Sequence, residues 1–294
     1  SLVQIQSPRP LYGRMISYLL YRSASTLLRI IPARVAYPLA SAVSLLFYAA
    51  RPRIRGNVGR NCARLGLERG STWPVFRNFS RAVADFLRLP HLRRDDLASR
   101  CVIRGAEHLD RALAAGRGAI LFAPHLGPWE LAGARLTDLG YRISTVALEH
   151  PSSRVTRYFS ELRAAWGVVD YPSHSCAESF MQALAAGRPI VLLVDRNFSK
   201  RGVRIPFLGE ETLMPRGHAV LSIRSGAPLL PCCSYYAGGN RIEAVIGAPV
   251  DAGDPPRSVE AIAQACLERV EEFLRAHPHQ WFAFDHVWKD AKND

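Results

Sequence analysis

From Cys101 onward, short apolar runs alternate with longer segments of helical periodicity, and this alternation constrains the fold most strongly. Strands are predicted at Cys101–Arg104, Ala119–Ala123, Ile143–Ala147, Val168–Tyr171, Ile190–Val194, Leu229–Tyr235 and Ile242–Ile246. Helices are predicted at Trp129–Leu139, Ser152–Trp166, Ala177–Ala186, Arg216–Ser225 and Ser258–Ala276. Strands that alternate with helices favour an α/β fold, in which helices flank a central, mostly parallel sheet.

Positive charge is concentrated in the N-terminal third of the chain. The formal net charge is +13 at pH 7, and residues 1–104 carry 18 arginines against four acidic residues, so the remainder is close to neutral. Apolar residues recur at helical spacing until Pro32 ends the first pattern, and a second apolar helix follows. We therefore predict a basic helical extension at residues 1–100 and an α/β core at residues 101–294.

The basic extension admits three interpretations: an anchor on an anionic membrane surface, a nucleic-acid-binding arm, or a helical subdomain with a solvated basic face. Nucleic acid is disfavoured as a partner because no helix-turn-helix, zinc or base-stacking motif accompanies the charge. Interleaved apolar residues and arginines suit anionic lipid. The most apolar segment, Val35–Ala50, has 16 residues, whereas a spanning helix needs about 20. We expect peripheral or monotopic attachment.

The six cysteines show no metal-binding or redox spacing, which favours a reduced, cytoplasmic setting. Adjacent Cys232 and Cys233 fall in an apolar run and are predicted to pack in the core. No cofactor or metal is predicted from these residues.

One segment combines a buried strand, a histidine and a carboxylate. After the strand Ala119–Ala123, His125 falls in a turn, Pro128 is suited to begin a helix, and Glu130 follows in its first turn. Across such a turn the two side chains can meet, and a carboxylate that fixes the imidazole tautomer makes His125 a suitable general base. The alternative is a core histidine beside a glutamate that is stabilised by the helix dipole.

The run His125-Leu-Gly-Pro-Trp-Glu130-Leu-Ala-Gly resembles the HxxxxE motif of the lipid A biosynthesis acyltransferase family, which includes the phosphatidylinositol mannoside acyltransferases. A second block is similar to that family in the same order: Val194–Asn197, Gly202, Pro206–Gly209, Met214-Pro215, Gly217–Ala219 and Arg224–Pro228. The sequence departs from the family pattern at His218 and at Cys232-Cys233.

The resemblance implies a fold similar to that of glycerolipid acyltransferases and a membrane-associated enzyme without a cofactor. Such enzymes transfer a fatty acyl chain from an acyl-CoA or acyl-ACP thioester to a hydroxyl of a glycolipid. We slightly favour an acceptor of the phosphatidylinositol mannoside type over a lipid A precursor. The expected location is the cytoplasmic face of the inner membrane. In this hypothesis His125 deprotonates the acceptor hydroxyl, and Glu130 orients the imidazole and stabilises its protonated form.

Four further residues are candidates for substrate binding. Arg163 resembles, by position, a substrate or oxyanion contact of the family, and the less favoured alternative is a solvated helix charge. Asp195 and Arg196 end an apolar strand, at the edge where ligands bind in α/β sheets; they could contact the acceptor or form a structural ion pair. Arg216 precedes a predicted helix and could reach a phosphate.

Two other functions remain open at this point. A metal-dependent hydrolase would use His125, Glu130 and Asp195, but the sequence lacks a His-x-x-x-His pair or an Asp-rich cluster to complete the ligand set. A non-catalytic lipid-binding protein would keep the fold without turnover.

Overall fold

A seven-stranded sheet forms the centre of the computed structural model, which describes residues 11–147, 149–198, 201–251, 253 and 258–288. Residues 1–10 of the predicted extension and residues 289–294 of the predicted core therefore lie outside the described residues. The sheet contains β1 (Cys101–Arg104), β2 (Ala119–Ala123), β3 (Ser144–Ala147), β4 (Val169–Pro172), β5 (Pro189–Leu193), β8 (Leu229–Tyr236) and β9 (Ile242–Ile246). A separate hairpin pairs β6 (Val203–Phe207) with β7 (Glu210–Met214).

The strand order in the sheet is β1-β9-β8-β2-β5-β3-β4. Every neighbouring pair is parallel except β8 and β9, which are antiparallel. The α/β fold with a mostly parallel sheet is thus confirmed, and all seven predicted strands occur in it. Because β2 and β5 are neighbours, the segments that follow their carboxyl ends lie side by side at one edge of the sheet.

Helices cover the sheet and form the N-terminal region. The N-terminal helices are α1 (Leu11–Ile30), α2 (Ala33–Ala50), α3 (Pro52–Arg64), α4 (Trp73–Arg88) and α5 (Arg94–Arg100). Those of the core are α6 (Ala106–Ala114), α7 (Trp129–Asp138), α8 (Ser153–Ala164), α9 (Cys176–Ala185), α10 (Gly217–Ser225) and α11 (Val259–Ala276). The five predicted core helices are confirmed within a few residues, and α6 was not predicted.

The β6–β7 hairpin was also missed, although β6 alternates buried Val203, Ile205 and Phe207 with exposed residues. Its turn places Leu208 and Gly209 at positive φ angles of 49° and 81°. Trp288 Nε1 donates to the backbone carbonyls of Phe207 and Glu210, at 3.1 and 3.2 Å, and so fixes the hairpin against the C-terminal segment. Charged residues and a proline interrupt the apolar positions of both strands, so neither shows a continuous apolar run.

Helices α1 and α2 both pack against α4 and leave large apolar side chains exposed. These are Met15, Ile16, Leu19, Leu20, Leu27 and Ile30 on α1, and Val35, Leu39, Val43, Leu45, Leu46 and Phe47 on α2. By length and composition α2 could cross a membrane, being 18 residues long with mean hydropathy 1.3. Its other face contacts protein, because Ala36 is fully buried and the Ser44 hydroxyl donates to the Phe76 carbonyl at 3.1 Å.

A buried carboxylate joins the N-terminal helices to the sheet. Asp85 of α4 is fully buried and accepts hydrogen bonds from Tyr37 Oη of α2 at 2.7 Å and Tyr236 Oη of β8 at 2.8 Å. Arg100 Nη2 of α5 completes the cluster at 3.2 Å from Asp85 Oδ1. The guanidinium of Arg81 lies over the Tyr236 ring, 3.7 Å from its centroid. Residues on both sides of position 100 therefore share one buried polar network.

Candidate active site

The turn after β2 is held between two other segments. Gly127 has φ = +58°, and a Cβ atom there would lie 2.3 Å from the carbonyl oxygen of Ser234 on β8, so the turn requires glycine. On its other side, the Gly127 amide donates to the Gln280 carbonyl at 3.0 Å and the Phe282 amide donates to the His125 carbonyl at 2.9 Å. Backbone hydrogen bonds therefore fix the position of His125 independently of its side-chain contacts.

The carboxylate that holds His125 is Asp195, not Glu130. His125 Nδ1 lies 2.6 Å from Asp195 Oδ1, and Trp281 Nε1 donates to Asp195 Oδ2 at 2.7 Å. Asp195 is fully buried and is not among the lining residues of the nearby cavity, so its contact with substrate stays a prediction. The predicted His125–Glu130 pairing is wrong, because β2 and β5 are neighbours and their carboxyl ends bring His125 and Asp195 together.

The electrostatics of this pair favour a neutral imidazole beside an ionised carboxylate. Burial lowers the pKa of His125, and nearby Arg196 lowers it further, while Asp195 and Glu130 oppose the decrease. Burial alone would raise the pKa of Asp195, but His125, Arg196 and the Trp281 hydrogen bond outweigh it and lower that pKa. Since an ionised Asp195 only accepts hydrogen bonds, it keeps the imidazole proton on Nδ1 and leaves Nε2 able to accept one.

Glu130 forms a second ion pair, which is partly buried. Arg163 of α8 donates to Glu130 through Nη2 at 2.7 Å and through Nε at 3.0 Å, and its Nη1 donates to Asp170 at 2.8 Å. Burial would lower the pKa of Arg163, but the two carboxylates outweigh it and raise that pKa. Three of the five N–H donors of an arginine are used in these contacts, which leaves two. Arg163 is therefore not a solvated helix charge.

A cavity of about 330 Å³ opens beside His125 and lies over one face of the sheet. Its floor includes alternate residues of four strands, which share a face: Leu121 and Ala123, Val191 and Leu193, Cys232 and Ser234, Ala244 and Ile246. Its roof comes from α4, α7 and α8, with Phe79, Val83, Phe86, Trp129, Leu136 and Phe159 among the lining residues. Polar side chains, including those of Glu130, His150 and Arg163, also line the cavity. A largely apolar cavity with polar groups near one histidine is suited to an amphipathic substrate.

The structure separates the remaining predicted residues. Arg196 lines the cavity, lies with its guanidinium 4.9 Å from the Phe198 ring centroid, and has an Nε that is buried without a hydrogen-bond partner among the described residues. Arg216 is exposed at the start of α10 and does not line the cavity, so its contact with a phosphate stays a prediction. In the described part of the chain, His, Cys, Asp and Glu side chains form no group of three that could hold a metal ion.

Two functional neighbours gave no signal in the sequence. Asp170 supports Arg163 from β4, and Trp281 supports Asp195 from the C-terminal segment, although neither belongs to a recognisable motif. Cys232, predicted as a core residue, lines the cavity, and all six cysteines are free thiols. His218 is buried on the opposite side of β2, where its ring stacks on Phe122 and neither ring nitrogen has a partner among the described residues.

Comparison with known proteins agrees with the motifs. Residues 6–290 match the model of a family described as bacterial lipid A biosynthesis acyltransferase. A phosphatidylinositol mannoside acyltransferase of Mycobacterium tuberculosis is 32% identical over 72% of this chain and 68% of its own length. One of Mycolicibacterium smegmatis is 29% identical over 94% of this chain and 92% of its own. A lipid A biosynthesis acyltransferase of Haemophilus influenzae is 24% identical over 63% and 58%. The chain therefore belongs to the bacterial lipid A biosynthesis acyltransferase family and is an acyltransferase.

Proposed function

We propose that the protein transfers a fatty acyl chain from an acyl-CoA or acyl-ACP thioester to a hydroxyl of a glycolipid, with His125 as the general base. The observation that carries the proposal is the 2.6 Å contact between His125 Nδ1 and buried Asp195 at the edge of an apolar cavity. An acceptor of the phosphatidylinositol mannoside type is favoured over a lipid A precursor, because the two phosphatidylinositol mannoside acyltransferases are more similar to the chain than the lipid A enzyme is.

The proposed reaction needs no covalent enzyme intermediate. His125 Nε2 takes the proton of the acceptor hydroxyl while the hydroxyl oxygen attacks the thioester carbonyl carbon, which gives a tetrahedral oxyanion. The C–S bond then breaks, an ester remains on the acceptor, and the departing thiolate takes the proton from the imidazolium. The ionised Asp195 orients the imidazole and stabilises its positive charge, which is the role the sequence assigned to Glu130.

The second ion pair is proposed to position the substrate. Glu130 and Asp170 hold the Arg163 guanidinium rigidly within the cavity lining, and its two remaining N–H groups are available to the thioester carbonyl or its oxyanion. Arg196 is the second cation of the lining, and no ion pair neutralises it among the described contacts. We assign these arginines to the developing negative charge or to an anionic headgroup, and Glu130 to the positioning of Arg163.

Attachment to the membrane is proposed to use α1 and α2. Their exposed leucines include Leu20 at 65% and Leu46 at 72% exposure, a density of apolar surface that marks a contact with a membrane or another protein. Arginines without neighbouring acidic residues favour an anionic lipid surface. Since α2 packs along α4, we propose that it lies in the membrane interface rather than crossing it. We propose that the protein attaches to the cytoplasmic face of the inner membrane, where it would meet its acyl-CoA or acyl-ACP donor.

The proposal is tested with the purified protein, radiolabelled palmitoyl-CoA or palmitoyl-ACP, and either a phosphatidylinositol mannoside or a lipid A precursor. Transfer should occur to one acceptor, and His125→Ala should reduce it by about 10²-fold or more, as expected for a lost general base. His174→Ala is the matched control, because His174 is exposed and does not line the cavity. Absence of transfer with all four pairs, or full activity of His125→Ala, would refute the proposal.

A further inference from the structure

One face of α7 forms part of the cavity roof. The lining residues Trp129, Ala132, Gly133 and Leu136 are spaced by three or four positions, so they share this face. Trp129 lies beside the histidine, with its ring centroid 5.5 Å from that of His125. Gly133 lies one turn further along the helix, about 6 Å along its axis from Trp129.

Gly133 is not required by the backbone or by close packing. It lies inside a helix, where glycine is less favourable than alanine, and its φ angle is not positive. A Cβ atom at Gly133 would have no heavy atom within 4 Å apart from its chain neighbours and the nearby backbone of α7, whereas one at Gly118 would lie 2.6 Å from a backbone oxygen. Because Gly133 lines the cavity, the open space beside it belongs to the cavity.

We propose that Gly133 determines which acyl chain lengths the enzyme accepts. The missing side chain leaves open space in the cavity, whose lining also includes the buried residues Leu136 and Ile143. An acyl chain whose thioester lies at His125 would pass Gly133 before it reaches them. This inference rests on the proposed function, since it requires the cavity to hold the acyl chain of the donor.

The test replaces Gly133 with alanine and with leucine and measures kcat/KM for saturated acyl-CoA donors of 8 to 18 carbons with one acceptor. Each variant should keep the activity with short chains and lose activity with long ones, by about tenfold for each methylene that no longer fits. Leucine should move the preferred length further than alanine. Gly56→Ala and Gly56→Leu are matched controls, because Gly56 is an exposed helical glycine outside the cavity with the same free space.

A second readout does not depend on turnover. Competition with a fluorescent fatty acid gives the affinity for free fatty acids of the same lengths, which should rise about fourfold per buried methylene in the wild type. In Gly133→Leu this rise should stop at a shorter chain. If both readouts change equally for all chain lengths, the assignment of Gly133 is wrong even if the enzyme transfers acyl chains. If no donor reacts but affinity still breaks at a shorter length in the variant, the proposed reaction fails and the assignment of Gly133 stands.

Discussion

Replacing Asp195 with asparagine should disable the proposed base by reversing the tautomer of His125. Both carboxylate oxygens of Asp195 accept a hydrogen bond, from His125 Nδ1–H and from Trp281 Nε1–H. An asparagine amide has one acceptor oxygen and one donor group at these two positions. If its oxygen faces His125, its NH2 group faces the indole N–H, and an unpaired buried donor costs about 1–3 kcal/mol.

The opposite orientation avoids that cost. The asparagine oxygen then accepts from Trp281, and its NH2 group donates to Nδ1 of His125, which moves the imidazole proton to Nε2. His125 in this tautomer has no lone pair at Nε2 to accept a proton, so we expect kcat to fall by about 10²–10⁴, the range of general-base catalysis. Steady-state kinetics with a fixed donor and acceptor measure the loss, and circular dichroism controls for folding.

A double variant separates this explanation from simple damage. Trp281→Phe removes the competing indole donor, so in Asp195→Asn/Trp281→Phe the asparagine oxygen can accept from Nδ1–H again. The double variant should therefore be more active than Asp195→Asn alone, although it carries one more substitution. Equal or lower activity of the double variant would refute the tautomer argument. Near-normal activity of Asp195→Asn, together with a large loss in Glu130→Gln, would return the orienting role to Glu130.

Three further predictions concern the membrane, acid stability and the turn. The double variant Leu20→Asp/Leu46→Asp should co-sediment less with anionic vesicles than the wild type does. The control Ile223→Asp, at an exposed site on α10, should bind like the wild type. Equal binding by the wild type and the double variant would contradict the anchor. Burial lowers the pKa of His218 to about 4, below the unfolded value of about 6.5. The unfolded chain therefore binds a proton at His218 more readily than the folded protein does. In urea denaturation, the free energy of unfolding should fall between pH 7 and pH 4 by up to about 3 kcal/mol more in the wild type than in His218→Leu. The same pH dependence in both proteins would contradict this. Gly127→Ala should destabilise the fold and reduce transfer more than Gly116→Ala, which has a similar positive φ but free space at Cβ.

The central strands β2, β5 and β8 were predictable because they are largely buried and read as continuous apolar runs. β2, whose five residues are all buried, is the clearest case. The antiparallel pairing of β8 with β9 was not predicted, although residues 237–241 form a connection too short for a crossover between parallel strands. The boundary between the two predicted parts at residue 100 stays a prediction, although β1 begins at the next residue.

The candidate site was predictable in its composition but not in its pairing. His125, Glu130, Arg163 and Arg196 line one cavity, whereas Asp195 and Arg216 do not, and the roles of all six stay predictions. The partner of His125 is 70 residues away in the sequence, and only the order of β2 and β5 in the sheet brings it close. The spacing of residues in the sequence indicates which side chains can meet across one turn, and so it favoured Glu130. It does not indicate which strands are neighbours in the sheet. Trp281 was missed for the same reason, since it reaches Asp195 from a segment 86 residues away.

The buried Asp85 network has a practical consequence for obtaining a water-soluble form of the enzyme. Removing residues 1–50 would delete the apolar surface, but it would also remove Tyr37 and leave Asp85 short of a hydrogen bond. Because Asp85 also accepts a hydrogen bond from Tyr236 of β8, the damage would extend to the central sheet. Solubility is therefore better engineered by exchanging the exposed leucines of α1 and α2 for polar residues than by truncation.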